Sequence, residues 1–272
     1  MIYVLIAFAV VILIYLFLIF PGHAKKEKKA VFRGKNIAHR GLYSQDQSVP
    51  ENSVKAFSEA ADSGYGIELD VQLSRDGQVV VFHDDDLKRA CGKDERVDGL
   101  DFEELSELSL FGTEQRIPLF TSVLETVRGR TPLIVELKTG KRNRELCEKT
   151  AAILSGYDGQ YCIESFDPFI VSWFAKNKKD VMRGQLVQRP RDFRKTGQSG
   201  AVSFILGNVL MNFLARPHFI AHREGKMTLS ARLSVLFGAL RVTWTAHDRS
   251  CEEYSDTVIF EHFLPDTVFK TK

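Results

Sequence analysis

Residues 67–73 read Ile-Glu-Leu-Asp-Val-Gln-Leu, an alternation that turns Ile67, Leu69, Val71 and Leu73 to one face of a strand and Glu68, Asp70 and Gln72 to the other. Residues 133–138 repeat it, with Leu133, Val135 and Leu137 on one side and Ile134, Glu136 and Lys138 on the other. Three carboxylates buried side by side are strongly unfavourable unless a cation neutralises them, and all-oxygen ligands suit Mg2+ or Ca2+ rather than zinc. Glu68, Asp70 and Glu136 are therefore the candidate ligands of one divalent cation. Two more strand-like runs end in histidine, Ile37-Ala38-His39-Arg40-Gly41 and Val79-Val80-Val81-Phe82-His83-Asp84. Two imidazoles, the side chain whose unperturbed pKa is about 6.5, beside Arg40, Lys138 and three inward carboxylates, form a convergent catalytic set.

The elements that must carry these residues alternate. Strand-like runs fall at 36–41, 66–74, 78–84, 132–139, 160–166, 182–188, 218–222 and 240–246, with helical runs at 51–63, 102–110, 119–127, 144–154 and 168–175. The 51–63 run puts Val54, Phe57, Ala60 and Ala61 on one face, with Asn52 as a capping residue near its start and Gly64 at its end. Repeated β-α units call for a parallel sheet, and eight strands for a (β/α) barrel, whose inward side chains near the strand C-termini open onto the active-site mouth. The expected fold class is α/β, a (β/α)8 barrel preceded by one N-terminal transmembrane helix. Residues 201–215 are a second apolar run, too short to span a bilayer. They are expected as a buried barrel helix, with an exposed lip that dips into lipid as the sharper alternative.

Residues 1–20 carry no charged side chain, enough length to cross a hydrocarbon core. Pro21 and Gly22 break the run, and Lys25, Lys26, Lys28 and Lys29 follow, a basic flank that favours a cytoplasmic location for what comes after. A cleaved signal fits less well, because there is no basic segment ahead of the apolar run and no clear small-x-small site behind it. The expected organisation is an anchor at 1–21, a basic juxtamembrane linker at 22–35, read as a topogenic signal more than a lipid contact, and a catalytic barrel at 36–272. Basic and acidic residues number 37 and 35, so nucleic acid is not an expected partner, and no obligate protein partner is implied. Cys91, Cys147, Cys162 and Cys251 are scattered, without zinc-ligand spacing, and read as reduced thiols.

At AHRG (38–41), PENS (50–53), IELDVQLSRDG (67–77), VVFHDDDLKR (80–89), IPLF (117–120), VELK (135–138), ESFDP (164–168) and VTWTAHD (242–248) the chain resembles the glycerophosphodiester phosphodiesterases, a TIM-barrel family. The resemblance implies hydrolysis of a glycerophosphodiester to glycerol phosphate plus an alcohol, and the anchor with the apolar 201–215 run favours a lysophospholipid, which would yield lysophosphatidate, over a freely soluble substrate. It also implies a divalent metal on Glu68, Asp70 and Glu136, acid-base catalysis by His39 and His83, phosphate contacts from Arg40 and Lys138, and Trp244 near the substrate pocket. It further motivates attack by the glycerol 2-hydroxyl through a cyclic phosphate. Residues 258–266 (VIFEHFLPD) stand where relatives carry an Asp-containing TD-P segment, and His247 follows the Trp-Thr pair where a packing or surface role is expected. The contrasting reading is a catalytically silent, membrane-tethered binding or scaffold protein on the same barrel.

Overall fold

A computed structural model describes residues 1–271. Among them, nine strands form one sheet: β1 (Lys35–Ala38), β2 (Gly66–Leu73), β3 (Val79–Val81), β4 (Leu133–Leu137), β5 (Tyr161–Ser165), β6 (Met182–Val187), β7 (Phe219–Arg223), β8 (Leu240–Ala246) and β9 (Thr257–Phe260). All but β3 run parallel, and β1 closes the ring by pairing with both β2 and β9. The barrel is thus eight-stranded and parallel, although one of the expected strands is not a member and another takes its place. Residues 78–84 supply β3, which folds back antiparallel on β2 with Val71 opposite Val81. The eighth barrel strand is β9, inside the segment that departs from the family pattern.

The helices are α1 (Ile2–Ile19), α2 (Lys26–Phe32), α3 (Val54–Asp62), α4 (Lys88–Cys91), α5 (Phe102–Ser106), α6 (Phe120–Val127), α7 (Asn143–Ser155), α8 (Pro168–Asn177), α9 (Pro190–Lys195), α10 (Gly200–Gly207), α11 (Asn212–Ala215) and α12 (Leu229–Leu236). Strand alternation divides the core as the pattern requires. Ile67, Leu69, Val71, Val135 and Leu137 join the layer under the helices, whereas Ile37, Ile134, Phe219, Leu240 and Ile259 fill the barrel interior. Phe32, at the end of α2, plugs that interior from the N-terminal ends of the strands, so residues 22–35 include a helix built into the barrel floor.

Two local expectations are corrected. Helix α3 is capped by Ser53, whose side chain accepts from Ala56 N, and not by Asn52. The 201–215 run is not one buried helix: α10 and α11 are separated by a turn in which Val209 adopts φ 49°, and Val202, Phe204 and Ile205 of α10 face solvent.

Candidate active site

The register of the sheet builds the site. Asp70 on β2 lies opposite Glu136 on β4, and Glu136 opposite Glu164 on β5, which sets three inward carboxylates in one row with Glu68 one inward position below Asp70. All four are buried. One oxygen from each of Glu68, Asp70 and Glu136 can be chosen so that all lie within 4.8 Å of one another, a spacing that can hold a metal ion. Electrostatics favour a cation there. Burial and the charges of Asp70, Glu136 and Glu164 push the Glu68 carboxyl far up, and burial with Glu136 and Asp70 does the same to Glu164. The Oε2 of Glu164 is buried without a hydrogen-bond partner among the described residues. Burial also pushes Asp70 upward, but Lys138, His83, Arg40 and the Asn52 amide together carry it below its ordinary value.

The cations are tied into this row. Lys138 Nζ lies 2.9 Å from Glu136 Oε1 and 3.3 Å from Asp70 Oδ1. Arg40 follows β1 at φ 55°, its backbone N–H donates to Glu68 Oε2 at 2.9 Å, and its Nη1 donates to Glu51 Oε1 at 2.6 Å. Glu51 also receives Arg89 Nη1 and Nη2, and Asn52 Nδ2 donates to Asp70 Oδ2 at 2.8 Å. The 50–53 motif is therefore a brace for the row. Gly41 completes the turn: it sits at φ 83°, and a Cβ there would lie 2.9 Å from the Cβ of Ala56.

Each histidine is backed by a carboxylate. His39 Nδ1 lies 2.6 Å from Glu261 Oε2, just past β9, and His83 Nδ1 lies 2.6 Å from Asp84 Oδ1, while Arg89 Nε donates to the other oxygen, Asp84 Oδ2. With Nδ1–H donated to a carboxylate, Nε2 is the nitrogen left to exchange protons; that of His39 lies 3.9 Å from Glu68 Oε2. Burial and the Arg40 charge push His39 down, and Glu261 pulls it back up. Burial raises Glu261, but the hydrogen bond from His39 and the charges of His39, His262 and His247 bring it to about 2. His247, at the end of β8, bridges Glu261 Oε1 at 3.1 Å and Glu224 Oε2 at 2.9 Å, which extends the chain of partners outward from His39.

One cavity of about 600 Å3 collects these groups, with His39, Arg40, Glu68, His83, Glu136 and Glu164 at one end. Its other wall is largely apolar, with Phe166, Phe169, Leu186, Phe193, Val202, Ile205, Leu206, Met211 and Trp244 interrupted by Gln188, Thr196 and Gln198. Asp70 lies beneath the polar end, and Trp244 is fixed by Nε1 donating to Ala221 O. The eight residues singled out in the sequence thus come together. Glu164, Glu261, Asp84 and Glu51 were not singled out; of these, Glu164 was visible by alternation in 160–166, where Cys162 and Glu164 share a face.

The model of the glycerophosphoryl diester phosphodiesterase family matches residues 39–211. A glycerophosphodiester phosphodiesterase of Caldanaerobacter subterraneus is 38% identical over 112 residues, covering 38% of this chain and 45% of that protein. Human lysophospholipase D GDPD1 is 31% identical over 160 residues, covering 54% of this chain and 49% of that protein. The chain therefore spans about half the length of these relatives. Among solved structures, an Oleispira antarctica phosphodiesterase in complex with its product sn-glycerol-3-phosphate superposes with a TM-score of 0.69 at 22% identity, covering 85% of this chain and 94% of that one. The glycerophosphodiester phosphodiesterase of Thermotoga maritima gives 0.60 at 26% identity, covering 82% and 92%.

Proposed function

The chain belongs to the glycerophosphoryl diester phosphodiesterase family, and from that premise we propose that it hydrolyses a glycerophosphodiester or lysophospholipid at a divalent cation held by Glu68, Asp70 and Glu136. The observation that carries the reading is the carboxylate row flanked by two carboxylate-backed histidines at the polar end of a cavity whose opposite wall is largely apolar. The cation, Mg2+ or Ca2+ by its all-oxygen donors, supplies charge for the anionic phosphoryl group and its transition state. Arg40 adds a further positive charge at the same end, and Lys138 keeps two of the carboxylates close.

Proton transfer falls to the two imidazoles. One takes the proton of the attacking hydroxyl and the other gives a proton to the departing alcohol oxygen. With the glycerol 2-hydroxyl as nucleophile, a new P–O bond forms as the P–O bond to the alcohol breaks, and water then opens the cyclic phosphate, so one water is consumed overall. The apolar wall, with Trp244 upon it, suits an acyl chain better than a hydrated head group, and a relative named for lysophospholipase D activity points the same way.

The apolar α1, mean hydropathy 3.2, is read as a retained single-pass anchor with the barrel on the cytoplasmic side. Its last residue supports retention: Ile19 is fully buried among barrel residues, and its carbonyl accepts from Asn212 Nδ2 and Ser234 Oγ. A panel of glycerophosphodiesters and lysophospholipids, incubated with and without a chelator, tests the function. Hydrolysis that stops on chelation and returns with Mg2+ or Ca2+ is expected, and Glu68→Ala should lose that metal response. Binding of the diesters without turnover of any of them would leave the scaffold reading in its place.

A further inference from the structure

The anchor is pinned along one side of the barrel, and the pinning fixes its direction. Tyr15 hydroxyl meets Ser230 Oγ at 2.8 Å, Ile19 O accepts from Ser234 Oγ at 2.6 Å, and the Phe20 ring stacks on Phe237 at 5.4 Å. Helix α1 therefore runs beside α12 in the same direction. Because α12 follows β7 and precedes β8, it starts at the C-terminal ends of the strands and descends to their N-terminal ends. Residues Met1 to Ile14, ahead of Tyr15, must project past the C-terminal rim, the end onto which the active-site cavity opens. They are exposed to solvent throughout.

The same rim carries an unpartnered apolar edge. Phe169 in the first turn of α8, Phe204 in α10 and Leu229 at the start of α12 are 65%, 57% and 67% exposed, with Val202 and Ile205 beside them. Helices α10 and α12 are joined there by Thr228 Oγ1 donating to Gly207 O and by Ser230 with Asn208, next to the Tyr15 contact. Helix α9, on the same rim, presents Arg191 and Lys195 outward. The Lys25–Lys29 run is at the opposite end, where Lys28 and Lys29 donate to Asp180 O and Gly238 O.

We propose that this rim is seated in the interfacial layer of a phospholipid bilayer, with the cavity mouth opening directly into the leaflet from which α1 emerges. The uncharged, solvent-exposed turns of α1 ahead of Tyr15 leave the barrel at this rim, so the bilayer they enter meets the exposed apolar edge, at about the 5–10 Å depth at which apolar helix faces sit in lipid. Arg191 and Lys195 then lie at the level of anionic head groups.

The test uses the full chain in a Cys91→Ser background, with a fluorophore at F204C, L229C or L236C, reconstituted into phosphatidylcholine and phosphatidylglycerol vesicles that carry a chain-labelled nitroxide. Leu236 is 77% exposed at the far end of α12. Quenching of at least twofold at positions 204 and 229, with none at 236, is expected. Equal quenching at all three positions, or none at the rim, overturns the proposal, as does a rim shielded from aqueous quencher yet untouched by the lipid nitroxide, which would mark a protein contact. This readout needs no turnover, so it stands apart from the hydrolase reading. A second arm rests on that reading: Phe204→Ser should lower turnover of vesicle-borne lysophospholipid several-fold and leave soluble glycerophosphocholine unchanged, and equal effects on both would exclude intake across the rim.

Discussion

On the proposed mechanism, the smallest unit on which activity would turn is the pair His39 and Glu261. A carboxylate 2.6 Å from Nδ1 fixes the tautomer and stabilises the imidazolium that proton abstraction would create. Glu261→Gln should lower kcat by roughly ten- to a hundredfold with little change in KM, and His39→Ala or His83→Ala by about a hundredfold or more. If Glu261 works through His39, the double variant Glu261→Gln/His39→Ala is no worse than His39→Ala alone, and multiplicative losses in steady-state assays would refute that dependence. The inward placement of candidate-site residues was legible because alternation is local: Glu68, Asp70, Glu136 and Lys138 declare their faces within six residues. Glu261 is 222 positions from His39, and no local pattern connects them. It stood in plain view only as part of a segment that departs from the family. For the same reason the 201–215 run did not show which of its residues are exposed: Phe204 of α10 faces solvent, whereas Phe213 packs against Phe17 of α1 at 5.9 Å.

At the level of elements, strand number was legible and strand identity was not. Val79–Val81 has the alternation of a barrel strand, but only five residues separate it from Leu73, far fewer than a parallel crossover needs, and Asp76-Gly77 is a hairpin signal. That spacing, taken seriously, reads as the antiparallel pair the structure contains. Strand β9 is four residues long and preceded by a short 3-10 turn where a helix is usual, so periodicity had little to act on. The linker is the other case. Residues 26–32 look like a solvated basic segment, yet they form α2, whose last residue, Phe32, enters the barrel floor, 3% exposed, while Phe32 O accepts from Thr257 Oγ1. Phe32→Ala leaves a cavity bounded by rigid strands and should cost about 3–5 kcal/mol, read from denaturant midpoints, with activity per folded molecule unchanged. A loss below about 1 kcal/mol would show that the floor closes without it.

For the molecule as a whole, two buried neutral histidines should make the barrel sensitive to mild acid. His222 is buried between β7 and β8 as a neutral ring: Nδ1 donates to Arg223 O, and Nε2 lies 3.0 Å from Thr243 Oγ1 and accepts from Arg241 Nε. Burial and the Arg241 charge bring it down to about 3, and burial with Arg183, Lys29, Lys28 and His23 brings His218 down to about 3 as well. Unfolding releases both rings to a value near 6.5, so below that pH the unfolded chain binds more protons than the folded one. Stability is therefore unaffected by these rings above about pH 6.5 and falls as pH drops from there toward 3, by roughly 2 kcal/mol per histidine at pH 5. His247 works in the opposite sense, raised by Glu224 and Glu261 against partial burial, but it is half exposed and its contribution is small. Carboxylates held low, Glu261 and Asp70 among them, begin to protonate only below the ordinary carboxylate range, whereas Glu68 and Glu164, pushed far up by burial and their neighbours' charges, take up protons in the folded chain and act against the histidines as pH falls. The histidine share is therefore read as a difference: the urea midpoint of the detergent-solubilised His222→Gln variant should lose less between pH 7.5 and 5 than that of the parent chain. Equal pH slopes in the two chains would mean that the His222 ring is hydrated, or already charged, inside the fold.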